Sequence, residues 1–313
     1  MATSSSLPSP DSVIPIVKLA GEYLLVTAHN DLEGRKKNYG EVVSDEDTFI
    51  QAYLALGIKR IFPNDEIVGE EDLAGAFQKE SFNVKLKLLD PNQLYVRQDD
   101  YPEGAETDLC GMSFPTATTG HQRQWVIDPI DGSNNYIKKK GPYAVVVYLK
   151  EGGTVVFAIA YQPADSRLFQ AKLGDGLYMN GWKLQKMPPK LDTNKIKLCY
   201  GLGKRASQDL RNQFQSIIEK VDPKPERYGC LTWSFCQVCV THRRDAYFSL
   251  KEEPYKAGAI DLMVREAGFC SSLTPDRLNQ NGAFAMTITH PSIKLSAKTT
   301  RKIKSVLGPN ALP

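Results

Sequence analysis

The segment Trp125-Val126-Ile127-Asp128-Pro129-Ile130-Asp131-Gly132-Ser133-Asn134-Asn135-Tyr136 is the most informative stretch of the 313-residue chain. Its leading residues are apolar and predict a strand that carries Asp128 at its end. Because proline cannot continue a paired central strand, we expect the chain to turn at Pro129 and to bring Asp131 close to Asp128. Two carboxylates at close range repel each other and need a cation between them. Oxygen ligands of this kind suit Mg²⁺, which also accepts phosphate oxygens.

The same segment carries further candidates for ligand binding. The Ile130 carbonyl lies within the predicted turn and is a candidate metal ligand. Gly132 and Ser133 are placed to open a helix, whose free N–H groups would cradle a phosphate. The alternative is an ordinary surface turn, in which Asp-Pro and Asp-Gly sequences are common. From this segment alone, the turn and the metal site are supported about equally.

Two other acidic segments have both a functional and an ordinary interpretation. In Ile67-Val68-Gly69-Glu70-Glu71, a short strand followed by glycine would place Glu70 in a cleft. Taken alone, an acidic loop is the better interpretation of that segment. Ser44-Asp45-Glu46-Asp47 precedes an apolar helix and is typical of an N-terminal capping arrangement. A functional Asp47 would instead orient a water molecule.

Composition excludes several classes of protein. The 39 Lys and Arg residues nearly balance the 36 Asp and Glu residues, and the net charge of +3 argues against a strongly basic nucleic-acid binder. No apolar run is long enough to span a bilayer. The stretch from Val13 to Val26 contains Lys18 and Glu22, which indicates an amphipathic helix and not a signal peptide. The scattered cysteines favour a reducing compartment, so we predict a cytoplasmic protein that binds neither membranes nor nucleic acid.

The pattern of apolar residues predicts two halves. We expect a disordered N-terminus over residues 1–8, an N-terminal α+β half over 9–190 and a C-terminal α/β half over 191–313. The first half contains a segment of poor pattern at about 72–123, which we interpret as an insertion. In the second half, helices are expected over Leu231–Val240 and over a last segment capped by Ser292.

The ordered motifs resemble the inositol monophosphatase family, which comprises Mg²⁺-dependent, lithium-sensitive phosphomonoesterases. The resemblance covers roughly residues 10 to 305. It rests on four motifs in the family's order: Val43-Ser44-Asp45-Glu46-Asp47, Gly69-Glu70-Glu71, Asp128-Pro129-Ile130-Asp131-Gly132-Ser133 and Arg265-Glu266-Ala267-Gly268. The family resemblance implies an α/β (α+β) fold, a layered α/β/α/β/α sandwich.

The resemblance also implies a metal centre. Glu70, Asp128 and the Ile130 carbonyl would hold a first Mg²⁺, and Asp128 and Asp131 would hold a second. One ion would lower the pKa of the attacking water, while the other would stabilise the leaving alkoxide. Glu70 would therefore count among the catalytic residues as well as the metal ligands.

Phosphate binding and water activation are implied in the same way. Backbone N–H groups of Gly132 and Ser133 would bind the phosphate. Ser133 stands where the family usually has threonine, and its hydroxyl would pair with Asp47 to orient the attacking water. Lys36 precedes the Asp47 segment at the family's usual distance and would reach the phosphate region.

The chain departs from the family pattern where the last metal ligand is expected. Lys256 occupies the position of that aspartate, which is a reversal of charge. An ammonium there would compete with the second cation, or would replace its charge without its Lewis acidity. Asp261 is a poor substitute because of its helical spacing from Lys256. The family's inositol-contacting glutamate falls on Ser249.

Two functional hypotheses therefore compete. The first is Mg²⁺-dependent hydrolysis of a small phosphate monoester, inositol monophosphate or a related sugar or nucleotide phosphate, by metal-activated water. The second is a catalytically impaired homologue that acts as a phosphate-ligand-binding or protein-interaction module. The partner that we predict is a small phosphorylated metabolite, and the resemblance adds the expectation of a homodimer.

Overall fold

A computed structural model describes residues 8–28, 34–36, 42–71, 79–89, 92, 123–186, 196–203, 206–275, 284–309 and 311–312. The α-helices of this described part are α1 (Ile14–Thr27), α2 (Asp45–Ile61), α3 (Lys79–Leu89), α4 (Ser133–Ile137), α5 (Gln208–Val221), α6 (Leu231–Phe235), α7 (Pro254–Glu266) and α8 (Ala297–Leu307). Its strands are β1 (Gly34–Lys36), β2 (Val42–Ser44), β3 (Glu66–Gly69), β4 (Arg123–Asp131), β5 (Ala144–Glu151), β6 (Thr154–Gln162), β7 (Arg167–Lys172), β8 (Gly176–Met179), β9 (Trp182–Lys183), β10 (Leu198–Leu202), β11 (Ala246–Glu252), β12 (Cys270–Pro275) and β13 (Phe284–Thr289).

Two main sheets organise the fold. The larger sheet has seven strands in the order β3-β4-β5-β6-β7-β8-β9, and the smaller has four in the order β10-β11-β13-β12. Neighbours in the larger sheet are antiparallel except for β3 and β4, which run parallel. The parallel pair matters for function because both strands deliver their carboxyl ends to the same edge. The predicted boundary at residues 190–191 lies outside the described residues, so the division into halves stays a prediction.

Helices cover both faces of both sheets. Side chains alternate across a strand, so Trp125 and Ile127 of β4 pack in one core with α1 and α2, while Val126 packs in another with α6 and α7. The second core also receives one face of the smaller sheet, and the other face of that sheet packs against α5 and α8. The order of layers confirms the α/β/α/β/α sandwich. None of the helices in the described ranges has the length and apolar character needed to cross a membrane.

Strand β4 is anchored firmly before it reaches the acidic motif. The Trp125 ring is fully buried and its Nε1–H donates a hydrogen bond of 2.8 Å to Asp65. Arg123 donates to the same carboxylate at 3.1 and 3.0 Å. A buried indole next to an Arg123 Nε–H that both Asp65 oxygens share leaves little freedom of register. The position of the acids at the end of β4 is therefore set by the core.

The predicted turn at Pro129 is wrong. Strand β4 continues through Asp131, and its pairing with β5 shifts register between Asp128 and Asp131. Such a bulge accommodates proline because the bulged residues do not need a donor in the hydrogen-bond ladder. The predicted approach of the two acids is nevertheless produced, by a bulge instead of a turn.

Two details of the C-terminal half also differ from prediction. The helix expected over Leu231–Val240 is α-helical only to Phe235, and Cys236–Val240 forms a π-helical turn. The last helix is capped by Ser296, whose hydroxyl accepts the Thr299 N–H at 3.2 Å, and not by Ser292. Both serines have suitable side chains, so the residues that follow them decide which one caps. Of the predicted insertion, helix α3 is the main part within the described residues.

Candidate functional site

A polar cleft of about 390 Å³ opens at the carboxyl ends of β3 and β4. It lies between the amino-terminal ends of α4, α6 and α7, with Asp128 buried beneath it at 1% exposure. The predicted site residues that line it are Glu70, Ile130, Asp131, Gly132, Ser133 and Lys256. Three segments that are distant in sequence thus meet in one cleft. The side chain of Lys36 lies outside the described residues, and its predicted role stays a prediction.

Gly132 makes the connection between β4 and α4. Its φ of +103° is in the left-handed region, where residues with a Cβ are strained. A Cβ at this position would also lie 2.9 Å from the Pro142 carbonyl oxygen. Helix α4 begins at the next residue, so this conformation directs Ser133 toward the cleft. The glycine is therefore required by backbone conformation and by crowding at once.

We expect Gly132→Ala to lower the free energy of unfolding by about 3 kcal/mol, since it adds a steric clash to the backbone cost of about 1–2 kcal/mol. Gly153→Ala is the matched control, because Gly153 has φ +81° and a Cβ added to it would meet nothing within 4 Å. The control should lose only the backbone part. Urea unfolding of both variants measures the difference. Equal losses would show that the Pro142 contact does not contribute.

Asp47 caps helix α2 and also accepts a hydrogen bond from Ser133. Its Oδ2 accepts the Ser44 N–H at 2.8 Å and the Ser44 hydroxyl at 2.7 Å, completing a capping box at the start of α2. Its Oδ1 accepts the Ser133 hydroxyl at 2.9 Å. Burial raises the pKa of Asp47 to about 6, although the hydrogen bonds from Ser44 and Ser133 favour the carboxylate. The cap orients the carboxyl so that its second oxygen accepts from Ser133, which lines the cleft.

The Ser133 hydroxyl has two acceptors in reach. The Asp47 carboxylate and the Ile130 carbonyl oxygen are each 2.9 Å from its Oγ. A hydroxyl has one proton and can donate to only one of them at a time. A ligand that binds the Ile130 carbonyl oxygen would therefore leave the Ser133 hydroxyl to donate its proton to Asp47. Occupation of the Ile130 carbonyl by a metal ion would therefore favour the hydrogen bond from Ser133 to Asp47.

Asp128 is a buried carboxyl group that lacks hydrogen bonds. Neither of its oxygens has a hydrogen-bond partner in the structure. Burial is the main cause that raises its pKa well above the ordinary value, and the neighbouring Glu70 carboxyl raises it further. Lys256 acts in the opposite direction from 3.3 Å. A buried carboxylate without hydrogen-bond donors is costly unless a cation compensates it.

Asp131 is held differently, because it receives the amino terminus of α6. Its Oδ1 accepts the Leu231 N–H at 3.1 Å, and its Oδ2 accepts the Thr232 N–H at 2.7 Å and lies 3.2 Å from the Cys230 thiol. Free N–H groups at a helix start favour a negative charge. This attachment of the larger sheet to α6 was not predicted. A strand-ending acid and a later helix start carry no local signal that they meet.

Lys256 extends from the first turn of α7 into the acids. Its Nζ lies 3.3 Å from Asp128 and 3.7 Å from Asp131, and its side chain is only 13% exposed. Burial by itself lowers the pKa of this ammonium, but Asp128, Glu70 and Asp131 outweigh burial and raise it. The lysine is therefore charged, and it offsets part of the negative charge of the cleft.

Glu252 is a further cleft residue that sequence reasoning missed. It is reached through a second bulge, between Ser249 and Glu252 in the pairing of β11 with β13. Its carboxylate accepts the Tyr247 hydroxyl at 2.5 Å. Burial raises its pKa, and Lys256 opposes that effect. The Ser249 side chain is buried, and its hydroxyl lies 3.4 Å from the Met286 carbonyl oxygen. The only sequence signal was an acidic pair directly before the proline that opens α7.

The residues fit one divalent cation better than two. The two buried Asp128 oxygens without hydrogen bonds, next to Glu70, suit a hard cation. The side of Asp128 that faces Asp131 holds the Lys256 ammonium. Within the described ranges, no three His, Cys, Asp or Glu side chains form a ready-made metal cluster. Asp261 pairs with Arg265 on α7 and is not among the residues that line the cleft.

Comparison with known proteins supports one family. The model of the inositol monophosphatase family matches residues 12–303. Nus factor SuhB of Salmonella typhimurium is 29% identical over 191 residues, covering 56% of this chain and 70% of that protein. Human inositol monophosphatase 1 is 23% identical over 263 residues, covering 82% of this chain and 80% of that protein. The crystal structure of SuhB from Bartonella henselae, at 15% identity, has a TM-score of 0.67 over 95% of this chain and 97% of that one.

The structural likeness at this level of identity shows the fold alone. The family match is more informative, because it spans nearly the whole chain and includes all four motifs quoted from the sequence. It also includes the position of Lys256. The chain belongs to the inositol monophosphatase family, whose members are generally Mg²⁺-dependent phosphatases.

Proposed function

We propose that this protein is a Mg²⁺-dependent phosphomonoesterase that hydrolyses a small phosphate monoester, inositol monophosphate or a related sugar or nucleotide phosphate. The observation that carries the proposal is the hydrogen bond from Ser133 to Asp47 at the same cleft as the Asp128 carboxylate. A water-activating pair and a buried acid that needs a cation are the two parts that metal-assisted hydrolysis requires. Nothing in this arrangement calls for a covalent intermediate.

Each residue has a distinct task in this proposal. Asp128, Glu70 and the Ile130 carbonyl would hold Mg²⁺, which when bound supplies charge stabilisation and a more acidic water. Asp47 accepts the proton that the Ser133 hydroxyl passes on from the attacking water. A pKa of about 6 suits this role, because at neutral pH the carboxyl is charged and still basic enough to take a proton.

The remaining residues of the cleft position the ester. The Gly132 conformation directs the start of α4 toward the phosphate position. Lys256 adds a fixed positive charge beside Asp128 and Asp131. A cleft of about 390 Å³ has room for a small phosphate ester. Glu252 is a hydrogen-bond acceptor in that cleft, which favours a substrate that carries hydroxyl groups.

The experiment that tests the proposal is phosphate release from a panel of sugar, inositol and nucleotide monophosphates, with Mg²⁺ and with EDTA. We expect turnover of at least one ester with Mg²⁺ and a loss of at least about 100-fold with EDTA, since a catalytic metal contributes several kcal/mol to the transition state. Turnover that survives EDTA would contradict the metal-assisted mechanism.

The second candidate function is phosphate-ligand binding or protein interaction without efficient turnover. Lys256 is the observation that favours it, because an ammonium among the expected metal ligands can impair hydrolysis. Some relatives carry the name Nus factor, which is a second reason to consider a role in protein interaction. A chain that binds an ester from the panel but releases no phosphate under any metal condition would support this second candidate over the first.

A further inference from the structure

We infer that the cleft binds a single divalent cation and that the Lys256 ammonium is a built-in replacement for a second one. The inference deepens the proposed function, and it rests on that function only for its consequence in catalysis. It predicts the number of cations from this chain's own residues. It can therefore be tested on the free protein without any substrate.

The position of the ammonium carries the inference. Lys256 Nζ lies between two buried acids, 3.3 Å from Asp128 Oδ2 and 3.7 Å from Asp131 Oδ1. A Mg²⁺ ion bound by the same two oxygens would sit about 2.0–2.1 Å from each. Both cations would then compete for one small volume, at a distance where their charges repel strongly. The lysine therefore excludes an ion shared by Asp128 and Asp131.

The lysine is also unable to leave easily. Its side chain is 13% exposed and begins in the first turn of α7, which packs in the core between the two sheets. Removing it would leave the charge of Asp128 without its cation, and that residue has no hydrogen bonds to compensate. Lys256 and Asp128 are thus a buried ion pair in which each charge compensates the other.

Asp131 gives independent support. Its two oxygens already accept N–H groups of Leu231 and Thr232, and the Cys230 thiol is 3.2 Å from one of them. Asp131 oxygens that already accept hydrogen bonds from the amino terminus of α6 are less available to a metal ion. Asp131 therefore acts as a structural link to α6 and as the partner of Lys256.

Asp128 and Glu70, whose carboxyl groups interact, offer one cation position together. Glu70 lies close enough to Asp128 for their charges to repel, and the Ile130 carbonyl faces the cleft. Carboxylate and carbonyl oxygens of this kind are hard ligands for a divalent cation. Acidic side chains outnumber basic ones among the residues that line the cleft, so a divalent ion would offset part of the remaining negative charge.

In catalysis, the divalent ion and the Lys256 ammonium would have different tasks. A divalent ion can activate water, whereas an ammonium can stabilise negative charge but cannot act as a Lewis acid. Lys256 also carries protons on its Nζ that are available to an oxygen leaving the phosphorus. The rate should then follow the occupancy of one cation, with a simple hyperbolic dependence on Mg²⁺ concentration.

The test counts bound cations with Mn²⁺ as the probe, by isothermal titration calorimetry and electron paramagnetic resonance of the full chain. The wild type should bind one Mn²⁺, with the spectrum of an isolated ion. Lys256→Asp should bind two, with the broadened spectrum of a coupled pair. Lys220→Asp, the same charge change on the exposed face of α5, is the control and should still bind one.

Lys256→Met keeps the test decisive should Lys256→Asp fail to fold. It removes the ammonium without adding a ligand and should tighten binding of the first Mn²⁺ about tenfold or more, because a repelling charge is gone. A wild type that binds two Mn²⁺ ions, or none, would overturn the inference. Failure of the proposed function would look different, since the wild type would bind one Mn²⁺ and release no phosphate.

Discussion

Replacing Asp128 with asparagine is expected to reduce Mg²⁺-dependent phosphate release by about 10³-fold or more. The wild-type carboxylate offers two buried oxygens that no hydrogen bond occupies, whereas an amide offers one oxygen and no charge. Loss of a charged ligand should remove most of the several kcal/mol that a metal ion contributes, at about 1.4 kcal/mol per tenfold in rate. The measurement is kcat/KM of Asp128→Asn at saturating Mg²⁺.

The fold should tolerate this substitution. Asparagine has nearly the shape of aspartate, and a neutral amide avoids the cost of burying a charge that raises the pKa of Asp128. Asp222→Asn is the matched control, since Asp222 is buried but accepts backbone N–H groups of Leu198 and Lys224 at 2.7 and 2.9 Å. The control should lose about 1–2 kcal/mol of stability and keep its activity. An Asp128→Asn enzyme with near wild-type turnover would contradict the proposed role.

Replacing Asp47 with asparagine is expected to cost about 10²–10⁴-fold in kcat/KM, the usual contribution of a general base. An amide cannot take the proton that the Ser133 hydroxyl relays. In the wild type, activity should rise with pH through an apparent pKa of about 6, because Asp47 must be charged to act. The variant should lose this rising limb. Ser133→Thr keeps a hydroxyl at the same position and should remain active.

The same pKa has a consequence for stability. The folded state holds the Asp47 proton more tightly than the unfolded state does, since burial raises the pKa from 3.8 to about 6. The stability that protonation adds is complete below pH 3.8 and is lost as the pH rises to about 6. Urea unfolding from about pH 4 to 7 should show this decline in the wild type. It should be weaker in Asp47→Asn, and an identical decline would assign it to other groups.

Several features of the site were predictable because they are local. The apolar run before Asp128, the cap residue three positions before Asp47 and the glycine before Ser133 each constrain a few consecutive residues. Such signals depend on strand periodicity, capping and backbone conformation, which act over one or two turns of chain. The order of the motifs then indicated the family.

Other features depended on contacts between distant segments. The attachment of Asp131 to the start of α6 joins residues about 100 positions apart, and Glu252 reaches the cleft only through the bulge after Ser249. No pattern of neighbouring residues encodes either contact. The predicted turn at Pro129 failed for a related reason, because pairing with β5 extended the strand beyond what the proline alone would allow.

By itself, the sequence determined the family and the layered fold, and it predicted the acids of the site and a lysine where a further acid was expected. Only the tertiary structure decided where that lysine goes. Packing of α7 between the two sheets directs Lys256 into the pair Asp128 and Asp131 instead of toward solvent. A buried charge takes the position that lowers its energy most, and that position depends on the charges around it, which only the folded chain brings together.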